Sequence, residues 1–256
     1  MYKNFNTPHS FFLGLAFICM MATTTAQGEL QFGIQVSPTF SGMTTNNNLI
    51  NRDGSNLGLK LGIIGEYYFG TGDTYSFHTG LGFHFNAGGT LFYENQFDRV
   101  DIWQESLDNA LTTVPDSIAG GLSYKYDLQY LEIPLGLTLR TREFGYLRYF
   151  VRPAIHLGFL TQSRGSIKNA GFVDGEEDFD IGKEVNGLNL GWSLGAGVEY
   201  SISDGTALIG GFAFQSGFAD VTTDKGTSLV RSGRNPTEDD SRGKVNSLVI
   251  MLGVMF

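Results

Sequence analysis

The chain has 256 residues, with 17 basic residues against 26 acidic ones and a formal net charge of −9. That balance argues against a nucleic-acid partner, because phosphate contacts need a basic surface. Glycine (35) and phenylalanine (21) are both abundant, and beyond the first 26 residues no apolar run reaches the ~18 residues that a membrane helix requires.

The chain begins like a secretory signal peptide. Lys3 supplies a weakly positive start, Phe11 to Met21 an apolar run, and Thr24-Thr25-Ala26 a small-residue cleavage site. The expected division is a signal peptide over 1–26 and a barrel domain over 27–256. The single cysteine, Cys19, lies inside the signal and follows Ile18, where a lipoprotein would carry a small residue. The mature segment is therefore expected to have neither disulfides nor thiol chemistry.

From there the dominant signal is a period of two, which marks strands with one apolar face. It recurs eight times. The first strand, near Leu30 to Phe40, sets Leu30, Phe32, Ile34, Val36 and Phe40 against polar or small neighbours. The second runs from about Leu57 to Phe69, and the third from Tyr75 to Ala87. The fourth, Tyr124 to Arg140, carries Leu131, Ile133, Leu135, Leu137 and Leu139 on one face. The fifth lies near Tyr146 to Thr161, and the sixth runs from Leu188 to Ile202 with Trp192 and Tyr200 in its apolar row. The seventh spans about Thr206 to Phe218. The eighth places Leu248, Ile250, Leu252, Val254 and Phe256 together.

Connections alternate in length. Gly70 to Thr74, Thr141 to Gly145 and Ser203 to Gly205 read as hairpin turns, whereas long polar segments fall near 41–56, 88–123, 162–187 and 219–243. Short turns on one side and long loops on the other predict an all-β fold. It is an eight-stranded antiparallel transmembrane β-barrel in the outer membrane, with short periplasmic turns and long extracellular loops. A soluble sandwich or lipocalin-like barrel is the alternative, and it gives no reason for loop lengths to alternate. Aromatics gather at strand ends (Tyr67, Phe69, Tyr75, Tyr149, Tyr200), as a membrane girdle requires. Pro38, Pro134 and Pro153 strain the reading, since each removes a ladder donor. The eighth strand is expected to close on the first. Its outward row resembles the signal read by the barrel-assembly machinery, so that machinery and outer-membrane lipid are expected partners.

Parity also sorts the polar residues. Glu66, Glu132, Arg148, Arg152 and Glu199 fall on lumen positions, and charges inside so narrow a barrel must pair. A structural ion-pair network is expected, with a proton or ion path as the sharper alternative. His78, His84 and His156 fall on lumen positions too, leaving no loop histidine in the mature chain for hydrolytic chemistry and no metal-ligand spacing. Asp174 to Asp180 is an acidic run whose spacing does not match a calcium loop. Val100, Trp103 and Leu107 have near-helical spacing and predict a short helix over the barrel mouth. Trp103 as an exposed binding anchor is the competing reading.

At the fourth strand, Tyr130-Leu131-Glu132-Ile133-Pro134-Leu135-Gly136-Leu137 resembles a phrase of the PorT-like outer-membrane β-barrel proteins of Bacteroidetes-type bacteria. Looser likeness extends to Arg152-Pro153 and Gly195 to Tyr200. The resemblance implies an eight-stranded outer-membrane barrel, and its namesake serves a type IX secretion and gliding machinery. The expected role is non-enzymatic: structural or partner-binding through the external loops, with other envelope proteins as candidate partners and no cofactor or metal. An accessory part in a type IX-like machine and an outer-membrane enzyme are the alternatives.

Overall fold

The computed structural model describes residues 29–69, 73–110, 117–168, 170, 178–203, 205–223, 228–231 and 233–256. The expected signal peptide and most of the acidic run lie outside them. In chain order the elements are β1 (Leu30–Thr44), β2 (Ile50–Tyr68), β3 (Tyr75–Tyr93), β4 (Phe97–Asp101), α1 (Gln104–Ala110), β5 (Leu122–Arg140) and β6 (Leu147–Lys168). They continue with β7 (Phe179–Asp180), β8 (Leu188–Ser203), β9 (Thr206–Gly217), β10 (Ser228–Arg231), β11 (Thr237–Glu238) and β12 (Lys244–Met255).

Eight of these strands form a closed antiparallel barrel in the order β5-β3-β2-β1-β12-β9-β8-β6, and β5 pairs with β6 to complete the ring. The seam between first and last strands is tied at its end by Phe32 and Phe256, which exchange both backbone hydrogen bonds at 3.1 and 2.8 Å. Alternation follows from the pleat: Leu30, Phe32, Ile34 and Val36 point outward on β1, as do Leu248, Leu252 and Val254 on β12. All eight barrel strands carry such a row, and the large exposed apolar residues surround the barrel. An apolar surface of this extent belongs in lipid. Phe69, Tyr75, Phe144, Tyr146, Tyr149 and Tyr200 rim its short-turn end. At the tip of the connection from β5 to β6, Phe144 and Leu147 close a two-residue turn that begins with Gly145 at φ 68, as a type II′ hairpin needs.

Each strained proline sits at an interruption of a ladder. Pairing of β1 with β12 stops after Gln35↔Gly253 and resumes at Thr39↔Val249, spanning Pro38. Pairing of β3 with β5 stops at Thr79↔Leu135 and resumes at Gly82↔Glu132, spanning Pro134. Pairing of β5 with β6 skips from Gly136↔Ala154 to Leu139↔Val151, spanning Pro153. Register is the same on both sides of every gap, so the prolines cost hydrogen bonds without displacing the strands.

The strands are longer than their sequence signal. The segment expected as a loop near 41–56 is largely strand, with only residues 45–49 separating β1 from β2, and the one near 88–123 contains the end of β3, all of β4 and the start of β5. Bulges explain the difference. On β3 the register shifts between His84 and Ala87, where Asn86 (φ 53) and Gly88 (φ 110) take left-handed conformations. Apart from Phe92, the large apolar residues of β3 stay at odd positions, but the bulge turns their row from the lipid (Leu81, Phe83) to the interior (Ala87, Leu91, Tyr93). On β6 the shift opposite Gln129 and Tyr130 does the same for Ile167.

Above the bulges the strand extensions and connections build a dome with its own core. Met43, Leu91, Tyr93, Phe97, Trp103, Leu107, Tyr124, Tyr126, Ile167 and Ile181 are all buried in it. A small sheet, β11-β10-β4, and the expected helix, α1, cover that core. Trp103 is a core residue and no exposed anchor: φ 58 turns the chain between β4 and α1, and its indole packs edge-on against Tyr124 and Tyr126 at 5.1 and 4.9 Å.

Two carboxyls inside the dome make it sensitive to pH. Burial pushes Glu184 and Asp239 above the usual carboxylate range, against the opposing hydrogen bonds from Ser106 and Ser241. The folded dome therefore holds these protons more tightly than the unfolded chain does. Its stability falls as pH rises from the ordinary carboxylate range through the raised values, and it recovers on acidification. Proteolysis of the external segments, normalised to an unfolded substrate, should be slower at the ordinary carboxylate range near roughly pH 4 than near roughly pH 7. Equal rates would contradict this.

Candidate functional site

The lumen holds two clusters of charge. Glu66, on β2 near the short-turn end, is fully buried between two guanidiniums: Arg152 Nη2 donates to its Oε1 at 2.5 Å, and Arg140 Nη2 donates to its Oε2. Ser76 Oγ also donates to Oε2, at 2.8 Å. Arg140 Nε reaches both oxygens of Glu199, at 2.9 and 2.8 Å, and its Nη1 donates to Ser76 at 2.6 Å. Arg152 Nε donates to Thr138 at 3.0 Å. Two acids and two bases thus make a neutral layer across the barrel, drawn from β2, β3, β5, β6 and β8.

Glu132 anchors the second cluster, towards the dome. Lys60 Nζ pairs with its Oε2 at 2.5 Å and also donates to Gln215 Oε1. His84 Nδ1 lies 3.2 Å from Glu132 Oε1, and Gln215 Nε2 donates to the same oxygen at 3.2 Å. His156 Nε2 meets Ser193 Oγ at 2.7 Å, while its Nδ1 is buried without a hydrogen-bond partner. Between the clusters lies a cavity of about 100 Å³.

Of the five lumen residues named from sequence, Glu66, Arg152 and Glu199 share the first layer, and Glu132 centres the second cluster. Arg148 joins neither. It lies in an open vestibule at the short-turn end, a quarter exposed, with Asp73 and Glu143 at 3.4 and 3.2 Å. Lumen parity places a side chain on the inner face but not at a depth, and Arg148, the second residue of β6, lies closer to the short turns than the buried layer does. Arg140 and Lys60 were missed as partners, though both occupy lumen positions on their strands and parity alone would have found them. The row Leu248, Ile250, Leu252, Val254 and Phe256 lies on the outer face of β12, beside β1 and β9.

All three described histidines face the lumen, at a distance from the external surface. Among the described residues, no group of three or more metal-ligating side chains comes together. The arrangement neutralises charge and fills the barrel. The serine–histidine contact of Ser193 and His156 belongs to this lumen packing, on inward positions of β8 and β6.

A family model described as an outer membrane protein beta-barrel domain matches residues 25–223. No curated protein matches the chain. Among solved structures, it is similar to Neisserial surface protein A, with 13% identity, a TM-score of 0.44, and coverage of 88% of this chain and 95% of that one. A major outer membrane protein from Thermus thermophilus shows 14% identity and a TM-score of 0.42, covering 89% and 98%. The outer membrane protease OmpT from Escherichia coli shows 8% identity and a TM-score of 0.41, covering 91% and 99%.

Proposed function

The chain belongs to the outer membrane protein beta-barrel domain family, and from that membership we propose a non-enzymatic envelope protein that meets its partners through the external dome. The observation that carries this reading is the dome's own packed core. Connections that merely joined strands would not bury Trp103, Tyr124 and Phe97 together. A folded outer surface is suited to recognition, whereas the lumen is occupied by paired charge. The test is membrane-impermeant amine crosslinking on intact cells, followed by isolation of the full-length protein. Crosslinks from Lys125, Lys168 or Lys183 to one recurring envelope protein are expected. A clean monomer under the same conditions would count against the reading.

The Tyr130–Leu137 phrase supports a PorT-like assignment, and a part in a type IX-like machine is the second reading that rests on it. In this fold the phrase is architectural. Tyr130 is buried beneath the dome, Glu132 centres the upper cluster, and Pro134 interrupts a ladder. A removable signal peptide over 1–26 completes the proposal. It predicts a mature N-terminus at Gln27, which sequencing of the membrane-extracted protein would check.

A small-solute pore is disfavoured for a physical reason. Eight strands leave room only for side chains, and here Arg140 and Arg152 bridge the section. Reconstituted into planar bilayers, the protein should show no steady conductance. Discrete open levels in most insertions would contradict the blocked lumen.

A further inference from the structure

The cavity between the two charge clusters has an unexpected lining. Lumen side chains contribute Lys60, Glu132, His156 and Gln215, but the same volume also touches Leu81 and Phe83, whose side chains are exposed on the lipid face. Leu81 and Pro134 both line it, and both lie in the gap where β3 and β5 leave residues 80–81 and 133–134 unpaired. Beside the gap, Gly62 and Gly82 oppose each other across β2 and β3, so the wall there is bare backbone.

The inner side of the cavity is not uniformly polar. Ile64, Ala213, Val249 and Met251 form part of a buried apolar cluster and line the cavity together. A lumen filled only to neutralise charge has no need of an apolar stripe. Hydrocarbon entering from the side would meet one surface of its own kind at Leu81 and Phe83, and a second at Val249 and Met251. At about 100 Å³ the space is far below the ~300–1,000 Å³ that encloses a whole drug-sized ligand, so it suits a chain end.

We infer that this cavity is a lateral acceptor site for the end of an acyl chain from the surrounding membrane, entered beside Pro134, where residues 80–81 of β3 and 133–134 of β5 lack ladder pairing. The inference is independent of the partner role proposed for the dome. The chain end lies along Val249 and Met251, and burial of its methylenes supplies the affinity.

The test uses the full-length mature protein in phosphatidylcholine vesicles doped with palmitic acid that carries a diazirine beside its terminal methyl. After photolysis, adducts are mapped by peptide mass spectrometry. Adducts on the inward residues Val249 or Met251 are expected beside those on outward Leu81 and Phe83. Met255, inward but away from the cavity, should stay unlabelled. Val249→Phe, or Ala213→Leu as a second filling variant, should lower inward labelling about tenfold and leave outward labelling unchanged. Folding of each variant is checked by heat-modifiable migration. Adducts confined to outward residues in the unaltered protein would overturn the proposal even if neither variant folds. Undiminished inward labelling in a folded, filled variant would overturn it too.

Discussion

Glu66→Ala should destabilise the barrel more than any other single side-chain change considered above. The carboxylate is fully buried and receives both Arg140 and Arg152. Removing it leaves two guanidiniums facing each other in a closed lumen, with only Glu199 and neutral oxygens to answer them. Breaking a buried pair from one side costs about 3–5 kcal/mol, because the remaining charge stays desolvated. The loss is read as a lower temperature for the heat-modifiable shift in detergent. Arg148→Ala is the internal control: its partners are at the solvated mouth, and an exposed pair is worth about 0–1 kcal/mol. If Glu66→Ala and Arg148→Ala melted alike, the buried layer would have no special role in stability.

Loss of Val254 to Phe256 should lower the yield of folded, membrane-assembled protein severalfold. These residues pair β12 with β1 on one side, through Ile34↔Val254 and the Phe32–Phe256 exchange, and with β9 on the other. Pro38 interrupts this seam further up, so its lower end is a separate run of pairs that alone closes the barrel near the short turns. Phe256→Ala keeps the backbone bonds and removes the outward aromatic. It separates closure from recognition of the outward row by the assembly machinery. Full yield from the shortened chain would refute the closure argument. Full yield from Phe256→Ala alone would restrict the finding to backbone pairing.

What could be read from sequence followed from one physical rule. In a barrel wall the side-chain period is two, so Leu131 to Leu139 or Leu248 to Phe256 announce both a strand and the face that meets lipid. The rule fails where its premise changes. Past the bulge at His84–Ala87, the odd-numbered row of β3 leaves the lipid for the dome core, and Gly88-Gly89 looks like a loop when it is strand. The near-helical spacing of Val100, Trp103 and Leu107 predicts a helix, but only Leu107 lies in it: Val100 is on β4 and Trp103 precedes the first turn. The strand just before the helix gives no such signal, since five residues are too few to declare a period. Ion-pair partners were harder still. Parity names which charges face inward, but strand stagger decides their depth. That stagger joins Arg140 to Glu66 across the lumen and leaves Arg148 at the mouth.

The central claim is sidedness: a folded dome outside the cell, short turns in the periplasm and lipid between. Cys19 is the single cysteine and lies in the expected signal, so introduced cysteines report without background. Lys183→Cys places one on the dome, and Glu143→Cys places one in the turn between β5 and β6. A membrane-impermeant maleimide applied to intact cells should label the first at once and the second only after the outer membrane is permeabilised. Labelling of the turn but not the dome in intact cells, or equal labelling of both, would contradict the account.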